Sequence, residues 1–547
     1  MAHNYSLDCV TIGYFEPRFE DYERMVRCLG EESEAYRDLK FSFVHAGGRK
    51  MNYAELLSHA YRQAAGQADG AEDELKSGDI PNLAAVYLTS FLRRRGFRAK
   101  YVNLFLYEQE KLREYLAEKP LCVAITTTFY GLNFPVTEIV RVIRQYDREI
   151  KIVVGGPLVA NHHRRYPPAE LFLALDDMGA DAYIIEGQGE LTLSRVVQCL
   201  RDGGDLSAVP NLVYRAADGK LTMTSSEPEN NSLDENYIDW RLFANEGLGA
   251  TLQTRAARSC AFSCAFCAYP TRAGKLTLAS LDTIEKELDS MRDIGGVRNT
   301  VFIDDTFNVP LPRFKEICRL MIRKRYGFNW FSYFRCSNSD TEAIDLMAES
   351  GCRGVFLGIE SGSNTILKNM DKHAAVSQYL EGIRLLRQSG ILTFGSFITG
   401  YPGETEETVR ETVDFIKESK LDYYRSQIWY CEPGTPIFSR KEKYGIEGEG
   451  FNWVHDTMDS LEAMDHIDRA FLEIKDSRWL PQWSFDFWII PYLMGKGMTL
   501  DRFGDFMMHA NRMLKLEIAP VPEAEKQRLS AASERGLVEA LRGWRLQ

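Results

Sequence analysis

Two separate series of short apolar runs, alternating with amphipathic stretches, organise this chain of 547 residues. In the first series, candidate strands fall at Asp8–Tyr14, Lys100–Phe105, Leu121–Thr126, Ile150–Val154 and Ala182–Ile185. Candidate helices near Leu83–Arg94, Phe134–Gln145 and Glu190–Leu200 lie between them. The second series places strands at Thr300–Ile303, Trp330–Phe334, Gly354–Leu357, Thr393–Ile398 and Tyr424–Trp429. Its helices are near Leu281–Arg292, Phe314–Lys324, Thr341–Ser350, Val376–Ser389 and Thr405–Glu418. Alternation of this kind predicts parallel sheets covered by helices, so the fold class is α/β. The first series reads as a doubly wound sheet and the second as a partial (β/α)6 barrel.

Length suggests three or four domains. A polar connector, Ser225–Asn236, separates the two series, which gives predicted domains of 1–230, 231–437 and 438–547. Residues 15–80 are a Glu-rich, helical insertion after the first strand, read as a lid or packing element. The final segment reads as a mainly helical extension whose Trp453, Trp479, Trp483 and Trp488 are core residues.

Apolar content of 45% and charged content of 26% are ordinary for globular protein. A net charge of −12 argues against a nucleic-acid surface, which needs a basic stripe. The densest basic run, Arg93-Arg94-Arg95, reads as a helix C-terminus before Gly96. No apolar stretch approaches a membrane span, and Met1-Ala-His-Asn-Tyr-Ser lacks a signal peptide's regions. The 11 cysteines are scattered and odd in number, which predicts a reducing, cytoplasmic setting. Cys9, Cys28, Cys122, Cys199, Cys318, Cys336 and Cys352 read as inert core thiols.

Three cysteines stand apart from these. Cys260, Cys264 and Cys267 follow a C-x3-C-x2-C spacing in the run Arg258–Pro270. Three thiolates on one short loop can hold an iron–sulfur cube by three irons and leave the fourth open. A structural zinc site or three unrelated core thiols are the alternatives. Zinc would want a fourth Cys or His nearby, and none lies between Cys267 and Cys318.

Loops after the strands carry the remaining signals. In the first series these are Thr126-Thr-Thr-Phe-Tyr-Gly131, Gly155-Gly-Pro157 and Glu186-Gly-Gln-Gly-Glu190. Glycines there let a flat ligand approach the backbone, and hydroxyls can bond its polar rim. None opens the first helix as G-x-G-x-x-G, so a nicotinamide site is not expected. In the second series, Asp304-Asp305-Thr306, Arg335, Glu360-Ser361-Gly362 and Gly400-Tyr-Pro-Gly-Glu404 follow strands in order. Barrel enzymes keep their reactive residues at that end; the alternative is that Asp304 and Asp305 cap the next element and Glu360 pairs with a nearby Arg or Lys.

The cysteine spacing, with Phe266 before the third cysteine, resembles the radical S-adenosylmethionine (SAM) superfamily. The first series resembles the Rossmann-like cobalamin-binding domain found upstream of many such modules, through Thr126–Thr128, Val153–Pro157 and Gly187–Glu190. The resemblance implies a [4Fe-4S] cluster on Cys260, Cys264 and Cys267, with Phe266 beside the adenine of SAM. It implies that Asp304 and Asp305 contact the SAM amino group, Arg335 its carboxylate and Glu360 its ribose, with Ser361 alongside. Gly400 falls in the glycine-rich turn, Gly395 to Gly403, that the superfamily places near adenine. It implies cobalamin contacts from Thr126, Thr127, Thr128, Gly155, Gly156, Gly187, Gln188, Gly189 and Glu190. Gln188 replaces a more usual Glu. The Asp-x-His-x-x-Gly loop is absent, and His45 and His59 lack that context. Cobalamin is therefore expected to cycle through methylcobalamin without a protein histidine ligand.

Together these parts resemble the cobalamin-dependent radical SAM methyltransferases. The stretches Phe302–Pro310, Ser332–Cys336 and Gln427–Glu432 look most like the branch named for the phosphinothricin-pathway P-methyltransferase. That resemblance implies methyl transfer from SAM through cobalamin to an unactivated P–H or C–H centre, after hydrogen abstraction by a 5′-deoxyadenosyl radical. It implies a small-molecule or peptide substrate and a flavodoxin- or ferredoxin-type electron donor. Rival readings are a radical rearrangement or ring contraction, a polar methylation at an sp2 carbon, and a non-catalytic cobalamin sensor. A methylthiotransferase is disfavoured, since Cys9, Cys28 and Cys122 are too isolated for a second cluster. Tyr430, Cys431 and His455 are candidate substrate-facing residues.

Overall fold

The computed structural model describes residues 6–66, 75, 80–483 and 485–546. Residues 1–5, where the N-terminal reading falls, and most of 67–79 within the insertion lie outside the described residues. The chain divides into two units, each assembled from discontinuous segments.

The first unit comprises Met1–Arg18, Gly78–Leu248 and Thr277–Ile294. Its parallel strands are β1 (Cys9–Tyr14), β2 (Ala99–Leu104), β3 (Cys122–Thr126), β4 (Lys151–Gly155) and β5 (Ala182–Ile184). They lie in the order β2-β1-β3-β4-β5, so the winding reverses between β1 and β3. Two further strands, β6 (Leu212–Arg215) and β7 (Leu221–Met223), extend the edge antiparallel. Alternate residues of one strand supply separate cores. Val123 and Ile125 join one cluster, while Cys122 and Ala124 join the other. Burial on both faces explains why these strands read as nearly continuous apolar runs.

The Arg93–Arg95 run ends the helix Leu83–Arg93 and then clamps the connector. Arg93 Nη1 donates to Leu242 O (2.7 Å), Arg94 Nη1 to Tyr237 O (3.0 Å) and Arg95 Nη2 to Asn236 Oδ1 (2.9 Å). Helix Leu281–Ile294, read from sequence as part of the barrel, packs in this unit. Ser290 Oγ accepts from Trp240 N–H at 3.1 Å there.

The second unit comprises Phe19–Ser77, Gly249–Leu276 and Gly295–Gln547. Its sheet runs in chain order and every neighbouring pair is parallel: β8 (Thr251–Thr254), β9 (Asn299–Phe302), β10 (Asn329–Phe334), β11 (Cys352–Glu360), β12 (Leu392–Thr399), β13 (Tyr423–Ile428) and β14 (Arg478–Trp479). This is the expected partial barrel. β8 and β14 escaped the sequence reading, β8 because Thr251-Leu-Gln-Thr254 is mostly polar and β14 because it is two residues long. Phe397 packs on Phe415 of the helix Glu406–Ser419, which marks the outer face. On the inner face, Tyr333, Phe356 and Phe394 form one row, against which Phe487 and Trp488 pack.

The C-terminal part is largely helical, with Ser460–Glu473, Ile489–Gly495, Leu500–Ile518 and Glu523–Leu541. Trp453 and Trp479 are buried, while Trp483 and Trp488 are partly so. Residues 19–77 cluster with this unit rather than with the doubly wound sheet into whose sequence they are inserted. Arg37 pairs with Asp465 (2.7 Å) and Asp468 (2.6 Å), and Phe41 meets Trp479 at 4.6 Å. His45 pairs with Glu517 at 3.2 Å. Of the seven thiols read as core, Cys28 is exposed and Cys199 intermediate, while the other five are buried. Among the described residues, no helix is long and apolar enough to cross a membrane.

Candidate active site

The cysteine loop follows β8 and is anchored by its own backbone. Ala265 N–H donates to Met370 O (2.8 Å), and Ala265 O accepts from Ile437 N–H (2.8 Å). Ser259 adopts φ +72° and its hydroxyl donates to Gly274 O (2.6 Å), which turns the chain into the loop. Cys264 is buried, whereas Cys260 and Cys267 are partly exposed, and none forms a disulfide. Burial raises the Cys264 thiol and pushes Cys267 up to about 11, and ligation to iron would displace their protons.

Around the loop stand the strand-end residues. The Arg335 guanidinium lies 3.7 Å from the centre of the Phe262 ring and is buried, with Nη2 lacking any partner. Asp304 is buried and takes the Ala256 N–H on both oxygens (3.0 and 2.9 Å), which ties β9 to the segment entering the cysteine loop. Burial pushes its carboxyl up to about 7. Asp305 opens to solvent at its surface, yet the protein packed around it pushes its carboxyl up to about 6.

Glu360 ends β11 with φ +69°, past a register shift after Gly358. A Cβ on Gly358 would sit 2.7 Å from Glu360 Oε1, so the glycine makes room for the folded-back carboxylate. Lys372 Nζ meets that oxygen at 3.0 Å and lies 5.3 Å from the Phe266 ring. Ser361 is fully buried, and its hydroxyl lies 3.3 Å from that of Thr412. Gly400, at φ +85°, leaves no space for a side chain, since a Cβ would come within 2.4 Å of the Trp453 ring. Its nitrogen donates to Glu404 Oε2 (2.5 Å) and its oxygen faces His455 Nε2 (3.1 Å). His455 and Cys431 are buried, and of the three substrate-facing candidates only Tyr430 is exposed.

In the first unit, the predicted loops meet at the C-terminal ends of β3, β4 and β5, beside the reversal in strand order. Such a switch point is where doubly wound sheets bind ligands. Thr126 donates to Gly13 O (2.9 Å) and Thr127 to Gly155 O (2.9 Å), so both hydroxyls hold the loop itself. Gly156 has φ +108°, and a Cβ there would lie 2.9 Å from Thr127 Oγ1. Thr128 and Gly187 remain exposed. Gln188 Oε1 accepts from Asn231 N–H (3.0 Å) and Glu190 Oε2 from Asn231 Nδ2 (2.8 Å), while Gly189 (φ +71°) opens the helix Glu190–Arg201.

Comparison with known families matches residues 77–197 to the B12 binding domain and residues 255–416 to the radical SAM superfamily. The chain carries a B12-binding domain followed by a radical SAM domain. It is a cobalamin-dependent radical SAM enzyme whose cofactors are a [4Fe-4S] cluster, SAM and cobalamin. It is similar to an uncharacterised methyltransferase of Pyrococcus horikoshii, with 26% identity over 64% of this chain and 75% of that protein. It is also similar to the anaerobic magnesium-protoporphyrin IX monomethyl ester cyclase of Rubrivivax gelatinosus, with 25% identity over 72% of this chain and 73% of that one. Among solved structures, the radical SAM methyltransferase TsrM of Kitasatospora setae, with cobalamin and a [4Fe-4S] cluster bound, has a TM-score of 0.56. That match is 17% identical and covers 83% of this chain and 97% of the other, a likeness of fold.

The residues present fit these groups. In the radical SAM domain, Arg335 offers a buried, unpaired nitrogen near the cysteine loop, suited to the carboxylate of an amino acid. Among the described residues, no three His, Cys, Asp or Glu side chains converge as they would on one ion. A cube takes each thiolate at a separate corner and needs no such convergence. In the B12-binding domain, Phe129 (68% exposed), Leu132 (61%) and Phe134 (52%) follow β3 and give a flat macrocycle an apolar surface to rest on. Sequence reasoning missed Phe262 and Asn231 and foresaw for Glu360 only an unnamed Arg or Lys partner, which is Lys372, because each acquires its role through a partner elsewhere in the chain.

Proposed function

We propose that this enzyme transfers a methyl group from SAM, by way of cobalamin, to an unactivated P–H or C–H centre of a small natural-product or peptide substrate. The observation that carries the reading is the presence of a B12-binding and a radical SAM domain in one chain. When bound, the cluster and SAM supply a 5′-deoxyadenosyl radical that removes a hydrogen atom, and cobalamin supplies the methyl group. Polar attack on SAM cannot methylate a centre with no nucleophilic lone pair, which is why two cofactors are needed.

The chain's own residues hold and orient these groups. Cys260, Cys264 and Cys267 would ligate the cluster, and Arg335 would take the SAM carboxylate. Phe266 would stack beside adenine, with the Glu360–Lys372 pair next to the ribose. Asp304 has both oxygens committed to Ala256 N–H, so it shapes the loop, and Asp305 is the carboxylate open to an amino group. Thr128 and the backbone at Gly155, Gly156 and Gly187 would line cobalamin, with Thr126 and Thr127 bracing the loop. A reductant of the flavodoxin or ferredoxin type would supply electrons.

Within this class we favour a phosphinate-type substrate, on the likeness of Phe302–Pro310, Ser332–Cys336 and Gln427–Glu432 to the P-methyltransferase branch. The similarity to a cyclase favours one other reading, a radical ring-forming reaction without net methylation. Anaerobic turnover followed by mass spectrometry separates them. The methyltransferase reading expects 5′-deoxyadenosine and S-adenosylhomocysteine in equal amounts and a product heavier by one methylene. A product of unchanged carbon count overturns it.

A further inference from the structure

The inner face of the partial barrel carries a second buried guanidinium, on β13. Register places Arg425 beside Ser396, and Ser396 beside Gly358, one step beyond the row Phe356–Phe394–Tyr423. That row is the aromatic floor against which Phe487 packs. At that level Ser396 is small, while the space over Gly358 is taken by the folded-back Glu360 carboxylate.

Arg425 is only 4% exposed. Its Nη2 donates to both oxygens of Asp38, at 3.0 and 3.2 Å. Its Nε and Nη1 are buried with no hydrogen-bond partner. The Trp479 ring centre, at 5.6 Å, covers one side of the group but accepts no hydrogen bond in its place. Leaving charged donors desolvated is costly, and a chain that needed only a strut to Asp38 could use a smaller donor. Arginine kept under these conditions is the side chain suited to a planar or tetrahedral oxoanion.

We propose that Arg425 recognises an oxoanion on the substrate, a carboxylate or a phosphinate, over the aromatic floor of the barrel. The inference rests on the reading that this domain acts on a discrete substrate, but its test needs no turnover. Asp38 holds one nitrogen of the guanidinium and tempers its charge, while Nε and Nη1 receive the ligand.

The test is calorimetric titration of the full-length protein with methylphosphinate, acetate, neutral acetamide and S-adenosylhomocysteine. Wild type is expected to bind at least one of the two oxoanions and not acetamide, and the preferred anion names the source. Arg425→Gln should weaken that binding by at least about tenfold and leave S-adenosylhomocysteine unchanged. Asp38→Asn, which removes the competing carboxylate, should tighten it by about threefold. Equal anion binding by Arg425→Gln, loss of S-adenosylhomocysteine in its place, or no anion binding by wild type overturns the proposal. If Arg425→Gln does not fold, Asp38→Asn decides, and unchanged or weaker binding there overturns it. Methyl transfer is read separately, so either idea can fail while the other stands.

Discussion

Lys372 Nζ lies 3.0 Å from Glu360 Oε1, with both side chains buried where β11 ends. A buried pair gains little over apolar substitutes, but losing one partner strands the other charge. Glu360→Gln should therefore lower unfolding stability by about 3–5 kcal/mol. The double variant Glu360→Gln/Lys372→Met should recover part of that loss. Denaturant melts of the two proteins check it, and equal loss in both would show that the pair does not act as a unit.

Replacing any one of Cys260, Cys264 and Cys267 with Ala should abolish the cluster and leave cobalamin bound. Anaerobic reconstitution, read by iron and sulfide content and by cobalamin absorbance, separates the two cofactors. Formation of 5′-deoxyadenosine should fall below detection. Retained biological activity in such a variant would favour the sensor reading instead.

Gly156→Ala puts a side chain at φ +108° and 2.9 Å from Thr127 Oγ1. The backbone strain should cost about 1–3 kcal/mol, and the displaced Thr127 should loosen the loop it braces. Cobalamin affinity is expected to fall by at least about tenfold, while cluster content stays at the wild-type level. Binding titrations of the purified variant read both.

Glu404 is buried and burial pushes its carboxyl up from 4.5 to about 8. A carboxyl raised in the fold contributes stability that is complete below its unfolded value and is lost as pH rises through its folded one. Its share therefore declines across neutral pH and is gone above about pH 8. Glu404→Gln keeps an acceptor for the Gly400 N–H and removes the ionisation. The variant should gain on wild type steadily between about pH 5 and pH 8 in thermal melts and level off above that. A constant difference across that range would refute the assignment.

Alternation of strand and helix was enough to reveal both sheets, since strands such as β3 and β11 are largely apolar and flanked by glycine or polar turns. β8, with Thr-Leu-Gln-Thr, was too polar to stand out, and β14 is two residues long. The cysteine loop was legible because ligation depends on close spacing within one segment. Phe262 under Arg335, Lys372 on Glu360 and Asp38 on Arg425 were not, because separations of 73, 12 and 387 residues carry no local pattern. Glycine was ambiguous for the same reason. The space a side chain would need is taken by the Thr127 hydroxyl at Gly156 and by the Trp453 ring at Gly400, and only packing reveals which neighbour each glycine admits.

The interleaving of segments in the two units has a consequence for how the chain is made. Residues 19–77 emerge from the ribosome before most of the sheet β1–β7, yet their partners Asp465, Asp468 and Trp479 are synthesised some four hundred residues later. The first unit in turn awaits the helix Leu281–Ile294, which follows the cysteine loop. The first unit has all of its segments once Ile294 has emerged, whereas the second must wait for the C-terminal part of the chain, and a single internal cut would leave at least one of them in two pieces.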